Sequence, residues 1–231
     1  MKILALVIAR GGSVRLPGKN LRQLGGKPLI NWSIEIAQGV PEISEILVST
    51  DDESIADVSR KAGALVPWLR PQELATNEAS SVDVALHALD WYETEKSAVD
   101  GLLLLQPTSP FRSRNTVLNG IALFEKIGMI PVVGVSPTTA HPLWSFKIEH
   151  GKLLSFVDNG GIQKRSQELP PAYVVNGNFY LSSPADLREN NSFFGPRTIP
   201  LIVESGQEAL DIDTEIDFAF AEFIYKNIAQ K

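Results

Sequence analysis

Two short stretches of this 231-residue chain carry residue types at spacings that can do chemistry. The first, ARGGSVRLPGKN at positions 9–20, sets Arg10, Arg15 and Lys19 among Gly11, Gly12 and Gly18, directly behind an apolar run. Glycines let backbone N–H groups approach the oxygens of an anion, and guanidinium and ammonium groups add charge-assisted bonds to them. The stretch therefore reads as an anion-binding loop, with a solvated loop as the plainer alternative. The second, ALDIDTEID at 209–217, separates Asp211 from Asp213 by one residue. In an extended backbone the two carboxylates project to one side, where both can reach a hard cation such as Mg²⁺, which takes oxygen ligands. Taken by itself the pair is a weak metal signal, and Asp213 is better explained as the cap of a following helix. Beside a phosphate loop the metal reading gains force, because nucleotide chemistry needs its charge neutralised.

Two common phosphate loops do not fit. A G-x-x-x-x-G-K-[ST] loop aligned on Gly18 and Lys19 demands Gly where Ser13 stands and Ser or Thr where Asn20 stands. A G-x-G-x-x-G fingerprint starting at Gly11 fails at Ser13, so nicotinamide binding is disfavoured as well. There is no G-x-S-x-G elbow to anchor a hydrolase triad, and His87, His141 and His150 lack metal-ligand spacing. A net charge of -6 argues against a phosphate-tracking nucleic-acid surface and makes any cationic site local. Cysteine is absent, which removes disulfide and thiolate chemistry and fits a reducing cytoplasm. No run of 18 apolar residues suggests a membrane span, and the apolar segment 3–9 lacks a secretory cleavage pattern. The expectation is a cytoplasmic protein that binds a small anion, with no nucleic acid and no membrane among its partners.

The elements that must position these residues follow from periodicity. Residues 2–9, 45–50, 101–106 and 130–135 are apolar runs of strand length, with a shorter strand at 64–66, and helices are expected over 28–37, 53–62, from 80 or 81 to 95, and 114–127. Asp51 is the expected cap of the second helix, and Ser80 with Asp83 has capping-box spacing. Strands alternating with helices predict an α/β architecture with a mostly parallel sheet flanked by helices. After 137 the pattern changes to alternating segments at 146–149, 152–157 and 173–181, with a turn at His150 and Gly151 and a polar stretch, DNGGIQKRSQELPP, between the last two. The chain is thus expected to comprise a core of 1–136 and 199–231 and a β-rich excursion of 137–198 acting as a lid or subunit contact. In the last helix Ile216, Phe220, Phe223 and Ile224 fall on one face, expected to pack on the sheet.

Taken together, IARGGSVRLPGKN, LVSTDDESIA, LRPQELATNEASS, LLLLQPTSPFRS, VVNGNFYL and DIDTEIDF resemble, in order and over nearly the whole chain, the motifs of the CMP-sialic acid synthetase (N-acylneuraminate cytidylyltransferase) family, including members acting on legionaminic and pseudaminic acids. The resemblance implies a Rossmann-like nucleotidyltransferase fold and transfer of CMP from CTP to the anomeric hydroxyl of a nine-carbon 2-keto-3-deoxy sugar acid. Pyrophosphate is released, Mg²⁺ is required and no protein nucleophile is needed. It assigns Ala9, Arg10, Gly11, Gly12, Ser13, Lys19, Asn20, Arg70, Ser80 and Ser81 to the nucleotide and Asp211 and Asp213 to Mg²⁺. Gln106, Arg165, Tyr180, Phe193 and Phe194 go to the sugar, where a guanidinium such as Arg165 can hold a carboxylate bidentately. A homodimer formed through the excursion is also implied.

The chain departs from the pattern twice. Many sialate enzymes have Gly at the place of Arg15, and Arg-Pro-Asn-Gly where this chain has Val174, Val175, Asn176 and Gly177. The second change removes a cation near the expected sugar pocket. Two rival readings are activation of the eight-carbon 3-deoxy-octulosonate and a non-catalytic nucleotide-binding module of the same fold.

Overall fold

The computed structural model of the chain describes residues 1–76, 78–157 and 163–228. Its strands are β1 (Ile3–Ile8), β2 (Gln23–Leu24), β3 (Lys27–Pro28), β4 (Ile43–Ser49), β5 (Gly101–Leu104), β6 (Val132–Pro137), β7 (Phe146–Glu149), β8 (Lys152–Ser155), β9 (Tyr173–Ser182) and β10 (Ile199–Ile202). The α-helices are α1 (Leu29–Ala37), α2 (Glu53–Lys61), α3 (Ser81–Glu95), α4 (Arg114–Lys126), α5 (Pro184–Asn190) and α6 (Glu215–Ile228).

Six strands form one sheet in the order β10-β6-β9-β5-β1-β4. Its neighbouring strands run parallel except where β9 lies antiparallel between β5 and β6. The unbroken apolar run of β1 is explained by its place near the middle of the sheet. Ile3, Ala5 and Val7 pack into one layer with Ile34, Ile55 and Phe124 of α1, α2 and α4. Leu4 and Leu6 point to the other face, against Ala85 and Leu89 of α3 and Leu187 of α5. With period-2 alternation, a strand covered on both sides must be apolar throughout. A third apolar cluster joins Leu16 of the glycine loop to Leu29 of α1 and Phe218 and Ala221 of α6, which anchors that loop from below.

The mostly parallel, helix-flanked sheet is the one the sequence predicts; several details are not. The strand expected over 64–66 is a single parallel bridge between Leu65 and Leu47. The 137–198 excursion is divided, because β9 enters the main sheet. Phe179 and Leu181 are fully buried there, whereas Tyr173, Val174 and Val175 at its start stay exposed. Among the described residues of this stretch, the β7–β8 hairpin alone forms a separate sheet. Part of the DNGGIQKRSQELPP segment, positions 158–162, lies outside the described residues.

Helix α6 also differs from its expected orientation. Of the expected face only Ile224 is buried, together with Phe218 and Ala221, while Ile216, Phe220 and Phe223 are exposed. Both stripes satisfy helical spacing, and contact with Leu16 and Leu24 selects the one that packs. The cap of α2 is shifted by one residue as well: Asp52, not Asp51, accepts the Ile55 N–H at 3.0 Å.

Candidate active site

The glycine loop leaves the carboxyl end of β1, where open α/β sheets bind ligands. Its shape is fixed from several sides. The Asn20 side chain donates to the Arg10 carbonyl at 3.0 Å, and Gly11 N–H donates to the Asp51 carboxylate at 3.0 Å. Asp51, released from capping, thus holds the loop. Gly11 has a steric requirement of its own, since a Cβ there would sit 2.7 Å from the Asp52 carboxylate. Gly18 adopts φ +65°, a left-handed turn suited to glycine, and delivers Lys19 into the site.

Lys19 Nζ donates to the Ile212 carbonyl at 3.1 Å and to Asp213 at 3.0 Å, while Arg15 meets the other Asp213 oxygen at 2.5 Å. Asp213 and the anion loop are therefore one site, although nearly two hundred residues separate them in sequence. Asp213 does not cap α6. Thr214 and Asp217 make that cap reciprocally: Asp217 accepts the Thr214 N–H at 2.8 Å, and Thr214 Oγ1 accepts the Asp217 N–H at 3.3 Å. Asp213 is left to face the loop's cations, and Ile212 between the two aspartates is fully buried.

Above the loop lies a cavity of about 350 Å³ lined by Arg10, Ser13, Arg15, Lys19, Asn20, Arg70, Ser80, Ser81, Gln106 and Asp213. Arg70 is 6% exposed and bonds Ser49 through its hydroxyl at 3.0 Å and through its carbonyl. Burial pushes its pKa down to about 10, partly offset by Asp51 and reinforced by nearby Arg10, so it remains a cation at neutral pH. Ser80 caps α3 in a capping box with Asp83 and also lines the cavity, so the two roles coexist. Ala9, Gly11 and Gly12 shape the loop without lining this cavity.

A second cavity of about 360 Å³ adjoins the first through Gln106 and includes Tyr180, Gly177 and Asp211 in its wall. The two aspartates thus face different cavities. A family model described as cytidylyltransferase matches residues 4–119. The CMP-N,N'-diacetyllegionaminic acid synthase of Legionella pneumophila is 40% identical over 96% of this chain and 95% of its own length. The chain belongs to the cytidylyltransferase family. The pseudaminic acid cytidylyltransferase of Campylobacter jejuni is 30% identical over 98% of this chain and 97% of that protein. The N-acylneuraminate cytidylyltransferase of Escherichia coli is 32% identical over 95% of this chain but only 51% of its own, longer chain. In fold, the chain resembles a CMP:2-keto-3-deoxy-manno-octonic acid synthetase solved with CTP, at TM-score 0.69 and 19% identity over 100% of this chain and 99% of that one.

Within this cytidylyltransferase the electrostatics of the second cavity centre on Asp211. It keeps solvent contact through the cavity mouth, yet the protein atoms packed around it raise its pKa. A hydrogen bond from Thr108 and the charge of Lys19 oppose that rise, while Asp213 and Asp217 add to it. Tyr180 is likewise pushed up, first by burial and then by Asp211. Gly177, at φ +71°, lets the backbone pass so close to Gln106 that a Cβ would lie 2.8 Å from its amide oxygen.

Three residues assigned to the sugar lie away from both cavities. Phe193 and Phe194 pack on the Tyr180 ring at centroid distances of 5.6 and 6.1 Å and so support it from behind. Arg165 is exposed before the short 3₁₀ turn Ser166–Glu168.

Arg112 was given no role by sequence reasoning. It is 3% exposed and donates to the Asn178 carbonyl, to the Gln106 carbonyl at 3.2 Å and to Ser33 Oγ at 3.3 Å, tying the end of β5 to β9 beneath the junction of the cavities. Burial drives its pKa down to about 9, against the pull of Glu208 and Tyr180. Its one sequence signal is an arginine two residues past Pro110, near the end of the PTSPFRS stretch.

Proposed function

We propose that this cytidylyltransferase transfers CMP from CTP to the anomeric hydroxyl of a nine-carbon 2-keto-3-deoxy sugar acid of the sialic, legionaminic or pseudaminic type, releasing pyrophosphate. The observation that carries this reading is the pair of adjoining cavities sharing Gln106, one lined by cations and the other by neutral polar groups, with Asp213 in the first and Asp211 in the second.

Arg10, Lys19 and Arg70 take the triphosphate and its nucleoside in the first cavity, with Ser13, Asn20, Ser80 and Ser81 as neutral partners. Lys19 is already oriented by Asp213 and the Ile212 carbonyl, and Arg70 is fixed by Ser49, so the cations need little rearrangement as charge develops. The sugar acid occupies the second cavity, where Gln106 and Tyr180 orient it toward the nucleotide. Reaction then depends on holding two bound substrates in line rather than on a protein nucleophile.

Asp211 and Asp213 suit Mg²⁺ by their chemistry: both are hard oxygen donors, and their mutual repulsion helps to raise Asp211, a strain that a cation relieves. When bound, the ion supplies positive charge at the phosphate oxygens. We further propose a cytoplasmic homodimer assembled through the β7–β8 region. Its support is the exposed apolar surface of Phe146, Ile148 and Leu153 on a hairpin too small to stand alone. No helix among the described residues is long and apolar enough to cross a membrane.

The test is pyrophosphate release from CTP with a panel of eight- and nine-carbon 2-keto-3-deoxy acids. Release with a nine-carbon acid supports the proposal, and release with the eight-carbon acid alone replaces it by that activity. Silence with every acid leaves only a nucleotide-binding module.

A further inference from the structure

Asp213 is held by two cations of unlike mobility. Lys19 reaches one carboxylate oxygen at 3.0 Å; its side chain is 13% exposed and also meets the Ile212 carbonyl at 3.1 Å, so it is fixed from two sides. Arg15 reaches the other oxygen at 2.5 Å with a side chain that is 68% exposed. The backbone beneath Arg15 is anchored, because Leu16 is fully buried in the cluster with Leu29 and Phe218. Val14 on its other side is 74% exposed, so the guanidinium stands in solvent on the wall of the first cavity and can turn without moving the loop.

These contacts engage both oxygens of the carboxylate that lines the cation-rich cavity. A Mg²⁺ ion seated on the oxygen that Arg15 holds would stand on the order of 4 Å from the guanidinium, a distance at which like charges repel even in water. Lys19 cannot give way without breaking its bond to Ile212, so Arg15 is the group that must leave. Leaving costs little, since an exposed arginine–carboxylate pair contributes little in water. The guanidinium also has somewhere to go. It lines the same cavity as Arg10, Ser13 and Arg70, where its planar fork suits phosphate oxygens.

We propose that Arg15 is a latch on Asp213: in the free protein it keeps the carboxylate from Mg²⁺, and when the triphosphate arrives it passes from Asp213 to phosphate oxygens and opens the carboxylate to the ion. This rests on the cytidylyltransferase reading above and on its assignment of Asp213 to Mg²⁺. The site then takes metal and nucleotide together and the free ion only weakly. Arg15 differs in this from Lys19, which keeps its place throughout.

The experiment measures Mn²⁺ binding to the nucleotide-free protein, from the paramagnetic resonance signal of the unbound ion, and kcat/KM for CTP in Mg²⁺-supported pyrophosphate release. The proteins are the wild type, R15Q, R15K, R15Q/D213N and R188Q. R15Q binds Mn²⁺ about tenfold more tightly than the wild type, because a neighbouring positive charge is gone. It loses about tenfold in kcat/KM for CTP, the range of a charged hydrogen bond, with the sugar KM unchanged. R15K keeps the charge, so it stays near the wild type in Mn²⁺ affinity and recovers part of kcat/KM. R15Q/D213N loses the gain in Mn²⁺ affinity. R188Q removes the same unit of charge and unpairs Asp90 and Glu93, each 2.6 Å from Arg188, yet leaves Mn²⁺ affinity unchanged. Equal Mn²⁺ affinity in R15Q and the wild type overturns the inference. So does a gain of the same size in R188Q or R15Q/D213N, since binding then answers to net charge and not to Asp213. A gain in R15Q with kcat/KM for CTP unmoved also overturns it, because Arg15 then never passes to the nucleotide. Release with no sugar acid removes the cytidylyltransferase reading, whereas Mn²⁺ binding, which needs no turnover, still decides whether Arg15 closes Asp213.

Discussion

The two cavities that meet at Gln106 are nearly equal in size, about 350 and 360 Å³, and opposite in chemistry. Four cationic side chains line the first. Among the described residues no lysine or arginine lines the second, whose Ser136 and Asn176 side chains are bonded to each other and to neighbouring backbone groups. A charged ligand is met by groups that the fold holds in position, since Arg70 and Lys19 cannot relax away from the site without breaking bonds to Ser49 and Ile212. The sugar acid's carboxylate therefore finds no cation in the walls described, which is why Arg165 matters as a test.

The largest effect should follow loss of a fixed cation. Lys19→Ala is expected to lower kcat/KM for CTP by about a thousandfold, with the sugar KM little changed. A comparable rise in both Michaelis constants would erase the division between the cavities. Asp211→Asn should cost about a hundredfold in turnover while raising the melting temperature at pH 7. The sign follows from linkage: the folded-state pKa of Asp211 lies above the unfolded one, so its unfavourable contribution sets in as pH rises through these values and is fully present at neutrality. The stabilisation from Asp211→Asn should accordingly shrink as pH falls below the unfolded carboxylate range; a pH-independent shift in melting would refute this origin.

Arg112→Met is expected to destabilise the fold by about 2 kcal/mol, as carbonyls of Asn178 and Gln106 lose a buried donor while a desolvated charge is removed. It should also raise the sugar KM more than the CTP KM, because Gln106, whose carbonyl Arg112 holds, lines the second cavity; an unchanged sugar KM confines Arg112 to stability. Arg165→Ala is the smallest, a few-fold rise in sugar KM with CTP unaffected, in the range of a solvent-exposed ionic contact. Equal rises in both constants would remove Arg165 from the sugar side.

Much of the first cavity was legible in the sequence because its logic is local. A glycine-rich loop after a buried strand, with cations inside it, can be read from neighbours in the chain, and Asp211 and Asp213 declare themselves by a spacing of two. The second cavity was less legible. Gln106 and Tyr180 carry no local pattern, and Arg112 looks like any arginine at the start of a helix. What makes Arg112 special is that it reaches one carbonyl on β9 and another just past the end of β5.

The sequence by itself determined the α/β class, the anion loop and the paired carboxylates, since periodicity and spacing operate over a few residues. Tertiary structure alone decided between options that satisfy those local rules equally. Two apolar stripes on α6 have helical spacing, and only contact with Leu16 and Leu24 buries Phe218 rather than Phe220. Either Asp51 or Asp52 can cap α2, and the approach of Gly11 engages Asp51. Asp213 is a plausible cap for α6 until Thr214 takes that place and Lys19 arrives from 194 residues away to claim the carboxylate. Each choice turns on a partner distant in sequence, whose position exists only once the sheet has assembled.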